Sequence, residues 1–305
     1  MPKFSPVQVN SIEMFCKAAS LGSFTAAAEL LGVTPAAVSR SVMRLEERLG
    51  VRLFARTTRK IKLTVDGRLY FEQCRQALDQ IEEVERVITG NQEIPRGTLR
   101  ISVPTTYGHF RVLPLLPLYL DTYPEICVEI DVSNRNIDFV DEGFDLAIRL
   151  GNHMDSRLVA RKLEDASVGV FASPKYLEQA GIPATLEDLP NYRCIQFVLP
   201  STGRPMPWIF KDRGKEIEYP FDSRIRCQED VLACVTLARH GGGLFQIYHF
   251  IVNKNEKNGE LVEVLKPYSG RTRPFSILYP HNRHLSSKVR SFVDFMRNHI
   301  GTPPA

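Results

Sequence analysis

The chain has 305 residues, 43% hydrophobic and 24% charged, which fits two or three domains of ordinary globular composition. No apolar run reaches the roughly 18 residues that span a bilayer, and Met1–Asn10 lacks a signal-peptide hydrophobic segment, so a cytoplasmic protein is expected. The net charge of +4 names no partner, but from Arg40 to Lys62 eight basic residues face two acidic ones; that leaves +6 there and −2 on the rest of the chain, a basic patch of the kind phosphate binding requires.

Apolar residues at Val9, Ile12, Phe15, Cys16 and Ala19 are spaced for a first helix ending at Leu21, before Gly22. Ser23 and Thr25 are both candidate N-caps of a second helix, with Glu29 placed to support it, and Gly32 supplies the turn after it. Thr34 then caps a third helix whose first turn holds Pro35. Val38, Val42, Leu45 and Leu49 form its buried stripe, leaving Ala36, Ala37, Ser39, Arg40, Ser41 and Arg44 off that stripe. A slim N-terminal end with hydroxyls and arginines is what a helix entering the DNA major groove needs. After Gly50, Arg52–Leu63 reads as a short two-stranded wing anchored by Leu53, Phe54, Ile61 and Leu63. Arg56, Arg59 and Lys60 lie near its tip, in reach of phosphates or the minor groove.

Phe15, Ser23–Thr25, Ala27, Ala28, Leu30, Val33, Thr34, Ala37–Arg40, Leu45, Glu46, Leu49, Gly50, Leu53, Phe54 and Arg56, continued by Leu63, Thr64 and Gly67, resemble the N-terminal domain of the LysR-type transcriptional regulators. The resemblance runs in register for about fifty residues and implies a winged helix-turn-helix that reads DNA. The family often places Gln, then Pro or Ser, where this chain has Pro35 and Ala36, so any base contact of that Gln does not carry over. The candidate DNA contacts are Ser23, Thr25, Thr34, Pro35, Ala36, Ala37, Ser39, Arg40, Arg44, Arg56, Arg59 and Lys60.

A long helix follows, capped by Thr64 or Asp66 and running to about Thr89. Tyr70, Cys74, Ala77, Ile81, Val84 and Ile88 repeat every four and three residues, a heptad seam on a helix of about 36 Å. The alternatives are packing on its own domain and pairing with a second copy. The resemblance implies pairing, hence a dimer on a near-palindromic site, and a tetramer of such dimers is expected. Residues 1–64 are thus expected to be the DNA-binding domain, 65–90 the dimerisation helix, and 91–97, with Pro95 and Gly97, a hinge.

From Thr98 strands and helices alternate, which predicts parallel α/β packing. Strands are expected at 99–103, 126–132, 144–149, 168–172, 194–198, 244–247 and 275–279, and helices from Pro104–Gly108 to about Leu120 and at 137–142, 174–179, 228–239 and after Ser286 or Ser287. Glu142–Gly151 with Leu158–Leu163 resembles the effector domain of the same family, which implies two Rossmann-like subdomains of periplasmic-binding-protein type: 98–166 with 269–301, and 167–268. The fold class is therefore α/β overall, with a winged helix-turn-helix and a linker helix in front. Leu244–His249 departs from the aliphatic residue and Leu-Pro pair that the family often has there.

Ligands of such sheets sit at the carboxyl ends of strands. That places Thr105, Thr106 and Tyr107 at a cleft, the first two also by resemblance, with Arg149 able to counter a carboxylate or to pair with Asp145 or Glu142. Phe197, Gln228 and Phe245 are further wall candidates for a small, anionic effector. The chain shows no Gly-x-Gly-x-x-Gly, P-loop, His-Glu-x-x-His or Gly-x-Ser-x-Gly motif, and no enzyme is expected. His281 and His284 lack the neighbours a metal site needs, and no cofactor or metal is expected. Cys16, Cys74, Cys127, Cys194, Cys227 and Cys234 are scattered without a Cys-x-x-Cys pair and read as reduced thiols, with Cys227 and Cys234 the alternative of a thiol sensor. The competing function is a solute-binding protein without a DNA role, which leaves residues 1–90 idle.

Overall fold

The structure, a computed structural model, describes residues 6–56, 61–88, 94–151, 156–281 and 285–300. It divides into two compact units, Met1–Glu93 with Asp138–Gly143, and Ile94–Ile137 with Phe144–Ala305. Thr89, residues 91–93 of the expected hinge, Arg59, Lys60 and His284 lie outside the described residues.

The first unit begins with three helices, α1 (Pro6–Leu21), α2 (Phe24–Leu31) and α3 (Pro35–Leu49). Ser23 Oγ accepts from the Ala26 N–H at 3.2 Å, so Ser23, not Thr25, is the N-cap of α2. Gly32, at φ +66°, ends that helix with its N–H on the carbonyls of Ala28 and Glu29. Thr34 Oγ1 accepts from the Ala37 N–H at 3.2 Å, and Pro35 occupies the first turn of α3. Phe15, Ala18, Val38, Val42, Leu45, Leu53 and Phe54 form the core. Phe15 meets the rings of Phe54 and Tyr70 at centroid distances of 5.3 and 5.6 Å, pairs worth about 1 kcal/mol each beyond their area. A buried hydrogen bond of 2.8 Å from Ser41 Oγ to Ser11 Oγ ties α3 to α1.

The wing is the antiparallel pair β1 (Phe54–Arg56) and β2 (Ile61–Leu63). It is fastened to α3 by Glu46, whose carboxylate is 2% exposed and accepts the N–H groups of Leu53 (2.8 Å) and Phe54 (3.1 Å) and the guanidinium of Arg52 (2.9 Å). Burial alone would raise the pKa of Glu46, but the Phe54 N–H, the Arg52 side chain and the Leu53 N–H together hold it below the ordinary carboxylate value.

The linker helix α4 (Val65–Ile88) is capped by Thr64, whose Oγ1 accepts the Gly67 N–H at 2.9 Å and donates to the Arg52 carbonyl at 2.6 Å. Gly67 is a contact requirement, because a Cβ there would lie 1.9 Å from the Leu53 carbonyl oxygen. Gly67→Ala is expected to push α4 off the wing and cost about 1–3 kcal/mol, read as faster hydrogen exchange across Leu53–Leu63. The expected seam divides. Tyr70 and Cys74, with Phe71 and Leu78, pack on the three-helix core, whereas Ile81, Val84 and Ile88 are 50%, 48% and 78% exposed. Only the C-terminal half of the seam is open to a partner, because the helix-turn-helix takes the first half for its own core.

The second unit starts with β3 (Gly97–Val103), followed by α5 (Thr105–Tyr107), a π-turn (Gly108–Val112) and α6 (Leu116–Thr122). The single helix expected here is broken: Pro114 has no N–H to continue the ladder, the Leu113 N–H reaches back to Gly108, and Pro117 restarts the helix in its first turn. Then come β4 (Ile126–Val132), β5 (Leu146–Leu150) and β6 (Leu158–Ala172), while the turn α7 (Phe139–Glu142), between β4 and β5 in the chain, belongs to the first unit. The second lobe contains α8 (Pro174–Ala180), β7 (Ile195–Phe197), β8 (Trp208–Asp212), β9 (Lys215–Tyr219), β10 (Ile225–Cys227), α9 (Val231–Arg239), β11 (Phe245–Tyr248), α10 (His249–Lys257) and β12 (Val262–Val264). β13 (Thr272–Pro280) and α11 (Ser287–His299) close the chain.

The main sheet runs β11-β6-β13-β5-β3-β4, with β12 also beside β6. It is mixed, not parallel as expected: β3 is parallel to β4 and β5, but β13 is antiparallel to both β5 and β6. The strand expected from Val168 begins at Leu158. β6 is one strand of 15 residues, paired with β13 as far as Ser167 and with β11 and β12 beyond it. Both lobes therefore share it. Buried Lys288 on α11 donates to Asp145 (2.9 Å) and to the Thr98 carbonyl (2.7 Å), locking the last helix onto this sheet. Among the described residues, no helix is long and apolar enough to cross a membrane.

Candidate functional site

In the first unit the buried stripe of α3 (Val38, Ser41, Val42, Leu45, Glu46) fixes which side the helix turns outward. Thr34, Pro35, Ala36, Arg40 and Arg44 are exposed, Ala37 and Ser39 half-buried. Neither Arg40 nor Arg44 has an ion-pair partner among the described residues, so both guanidinium groups are available to an outside anion. Thr25 is exposed on the first turn of α2, and Ser23 is committed to its cap. The backbone of Arg56 pairs with Ile61 in the wing. The N-terminal end of α3 thus presents a narrow surface of small side chains and hydroxyls, flanked by cations. That surface chemistry fits the edge of a base pair and its phosphates.

The second unit holds a cavity of about 560 Å³, within the range of small-molecule sites. One side comes from the carboxyl ends of β3, β4 and β5, with Thr106, Ser133, Asn134, Asn136 and Arg149. The other comes from the second lobe and β13, with Phe197, Met206, Trp208, Phe245, Gln246 and Arg273. Of the residues expected at the cleft, Thr106, Arg149, Phe197 and Phe245 line it. Thr105 stands behind the wall: its N–H and hydroxyl both bond to the side-chain amide of Asn134, at 3.2 and 3.1 Å. The helix start is therefore not an open anion site.

Tyr107 and Gln228, also expected at the cleft, do not line the cavity. Tyr107 is fully buried beneath the wall, 4.3 Å from Phe275 by ring centroids, because the π-turn swings it into the core. Burial raises its hydroxyl pKa, and that hydroxyl has no hydrogen-bond partner among the described residues. Gln228 is exposed and not part of the lining, because α9 starts three residues later than expected, with Asp230 as the cap that accepts the Leu232 N–H.

Asp145 is taken by the Lys288 ammonium, and the hydrogen bonds of Arg149 run to the neighbouring strand and loop. Its terminal nitrogens donate to the carbonyls of Ser102 (3.2 Å), Ile148 (2.7 Å) and Arg135 (3.3 Å) and to Ser102 Oγ (2.8 Å). Two residues that sequence reasoning missed organise the opposite wall. The Gln246 amide bonds both backbone groups of Ile209, at 2.8 and 2.9 Å, and so seats β8 against β11. Arg273 donates to the Pro207 carbonyl at 2.7 Å, and burial holds its pKa below the usual guanidinium value. These partners lie 37 and 66 residues away in the chain, so no local signal marks them. Burial also raises the thiol of Cys234, which lies beside Cys227, and pushes Cys194 up to about 12, away from ready thiolate chemistry.

Two family models match the chain. A bacterial regulatory helix-turn-helix protein of the lysR family matches residues 9–68, and the LysR substrate binding domain matches residues 92–301. An HTH-type transcriptional regulator of Haemophilus influenzae, uncharacterized, is 33% identical over 92% of this chain and 97% of its own. CrgA, an HTH-type transcriptional regulator of Neisseria meningitidis, is 32% identical over 97% of this chain and 98% of its own. The solved structure of CrgA, a LysR-type transcriptional regulator, aligns with a TM-score of 0.61 and 29% identity over 98% of this chain and 100% of that one.

Proposed function

The chain belongs to the LysR family of bacterial transcriptional regulators, and on that premise we propose that it reads DNA as a homodimer whose grip is set by a small anionic effector. The observation that carries the reading is the exposed end of α3, with Thr34, Ala37, Ser39 and Arg40 toward base edges and Pro35, Ala36 and Arg44 beside them. Thr25, Arg56, Arg59 and Lys60 hold the backbone or the minor groove, and Ser23, through its cap, sets the start of α2 beside them. Residues 1–64 are the reader, 65–90 the dimerisation helix, 91–97 a hinge and 98–305 the effector domain. Exposed Ile81, Val84 and Ile88 supply the pairing surface. Two copies then face a near-palindromic operator, and pairs of dimers form a tetramer.

The effector occupies the cavity against Thr106, Arg149, Phe197 and Phe245, with Thr105 positioning Asn134 behind them. It binds one arrangement of the lobes better than another and so shifts the population of DNA-bound forms. The protein works in the cytoplasm and catalyses no reaction; its relatives are regulators of transcription. A solute-binding protein without a DNA role leaves the exposed face of α3 unexplained.

A gel shift tests the reading. The full chain is expected to retard DNA from its own promoter region at low salt, and failure to do so removes the DNA role. Arg40→Ala is expected to abolish sequence-specific retardation. Arg59→Ala is expected to weaken binding to every sequence, with the slope of log affinity against log salt shallower by about 1. An unchanged slope takes Arg59 out of the phosphate contacts.

A further inference from the structure

Two cations line the cavity, Arg149 and Arg273, and no described lining residue is a carboxylate. The two are not equivalent. Arg149 spends its terminal N–H groups on four protein acceptors, as described above. Arg273 makes one hydrogen bond, to Pro207, and has no carboxylate at ion-pair distance among the described residues; Glu218 acts on it only from farther away. Arg273 is half-buried, and a partly desolvated guanidinium without a counterion is destabilising, a cost that partners normally remove. Here the side open to a partner is the cavity.

The rest of the lining limits what that partner is. Phe197, Trp208, Phe245 and Phe275, with Met206 and Val168, give it apolar walls, and about 560 Å³ is far more than a small inorganic anion fills. A phosphate monoester brings nearly two charges and three strong acceptors, whereas Arg273 offers one planar fork. That fork matches one carboxylate.

Resting on the effector reading above, we infer that the ligand is an organic monocarboxylate, its carboxylate on Arg273 and its apolar body against the aromatic wall. Asn134, Asn136 and Ser133, on the facing side, then meet whatever polar group the body carries. The ligand anion supplies the counterion that the protein itself withholds.

The test is calorimetry and thermal melting of the full chain with acetate, hexanoate, benzoate and 3-phenylpropionate, each beside its primary amide, and with inorganic phosphate. The larger acids are expected to bind and raise Tm, with their amides at least tenfold weaker and phosphate without effect. Arg273→Gln is expected to weaken the acids at least tenfold and to leave the amides unchanged. Arg273→Lys, which keeps the charge without the fork, is expected to fall between the two. Amides that bind as tightly as acids, or acids that bind Arg273→Gln undiminished, overturn the carboxylate assignment and leave the effector reading standing. If no probe binds, charged or neutral, this inference and the effector reading fall together, while DNA retardation by the same sample keeps the DNA role separate.

Discussion

Glu46→Ala is expected to cost the N-terminal unit about 2–5 kcal/mol and to abolish DNA retardation. The substitution strands the buried N–H groups of Leu53 and Phe54, each worth about 1–3 kcal/mol when left without an acceptor. Arg52 adds little, since its side chain is 69% exposed and screened by solvent. The wing then loses its tie to α3, and the cations it carries lose their register with the recognition helix. Hydrogen exchange of the Leu53 and Phe54 amides is the direct readout; protection equal to that of the unsubstituted chain would refute the role. The same carboxylate gives a pH signature. Its pKa is lower in the folded state than in the unfolded chain, so its stabilisation is complete above the unfolded carboxylate range, near pH 4.3. It is lost as pH falls through the depressed folded value. Glu46→Gln, which cannot ionise, is expected to remove that part of the acid dependence.

Lys288→Met is expected to destabilise the C-terminal unit by about 2–4 kcal/mol. It leaves Asp145 without its ammonium partner in a largely buried setting, and removing one member of such a pair costs more than the pair contributes. The loss stays below the upper limit because Asp145 is 23% exposed and still accepts the Arg100 N–H at 2.9 Å. For a unit of this size the melting temperature should fall by about 2–4 °C for each kcal/mol. The one Trp of the chain, buried Trp208, reports the melt by fluorescence. Adding Asp145→Asn to Lys288→Met should recover part of the loss, because the stranded charge is gone. Equal melting of the single variant and the parent would show that α11 docks without this pair.

The reading of the sequence succeeded where the signal is local. Val38, Val42 and Leu45 recur at helical spacing, and Ser23, Thr34 and Thr64 cap within three residues, so the reader and its wing are legible without any long-range contact. It failed where distant partners decide. The charged middle of β6, Arg161–Asp165, looks like the end of a strand until β13 is there to pair with it. Tyr70 and Cys74 carry the spacing of a pairing seam but are captured by Phe15 and its neighbours. The break at Pro114 has a local cause, since a proline cannot continue the helical ladder. The β8–β9 hairpin also left a readable mark, since Arg213 and Gly214 both take positive φ in its two-residue turn and Gly is favoured there. In the cavity, the wall rings Phe197 and Phe245 were found by strand position. Gln246 and Arg273 were not, because their roles depend on a hairpin folded against them.

The division of α4 has a mechanical meaning. Its first turns are welded to the three-helix core through Tyr70, Phe71, Cys74 and Leu78, so α3 has no swivel of its own against that helix. The helix and its reading head form one rigid arm, about 36 Å long for 24 residues. A tilt of about 5° at the free end of such an arm carries the other end through about 3 Å, close to the rise of one base pair. In the proposed dimer two such arms join at their free ends like a pair of calipers, and the angle between them would set the gauge at which DNA is measured.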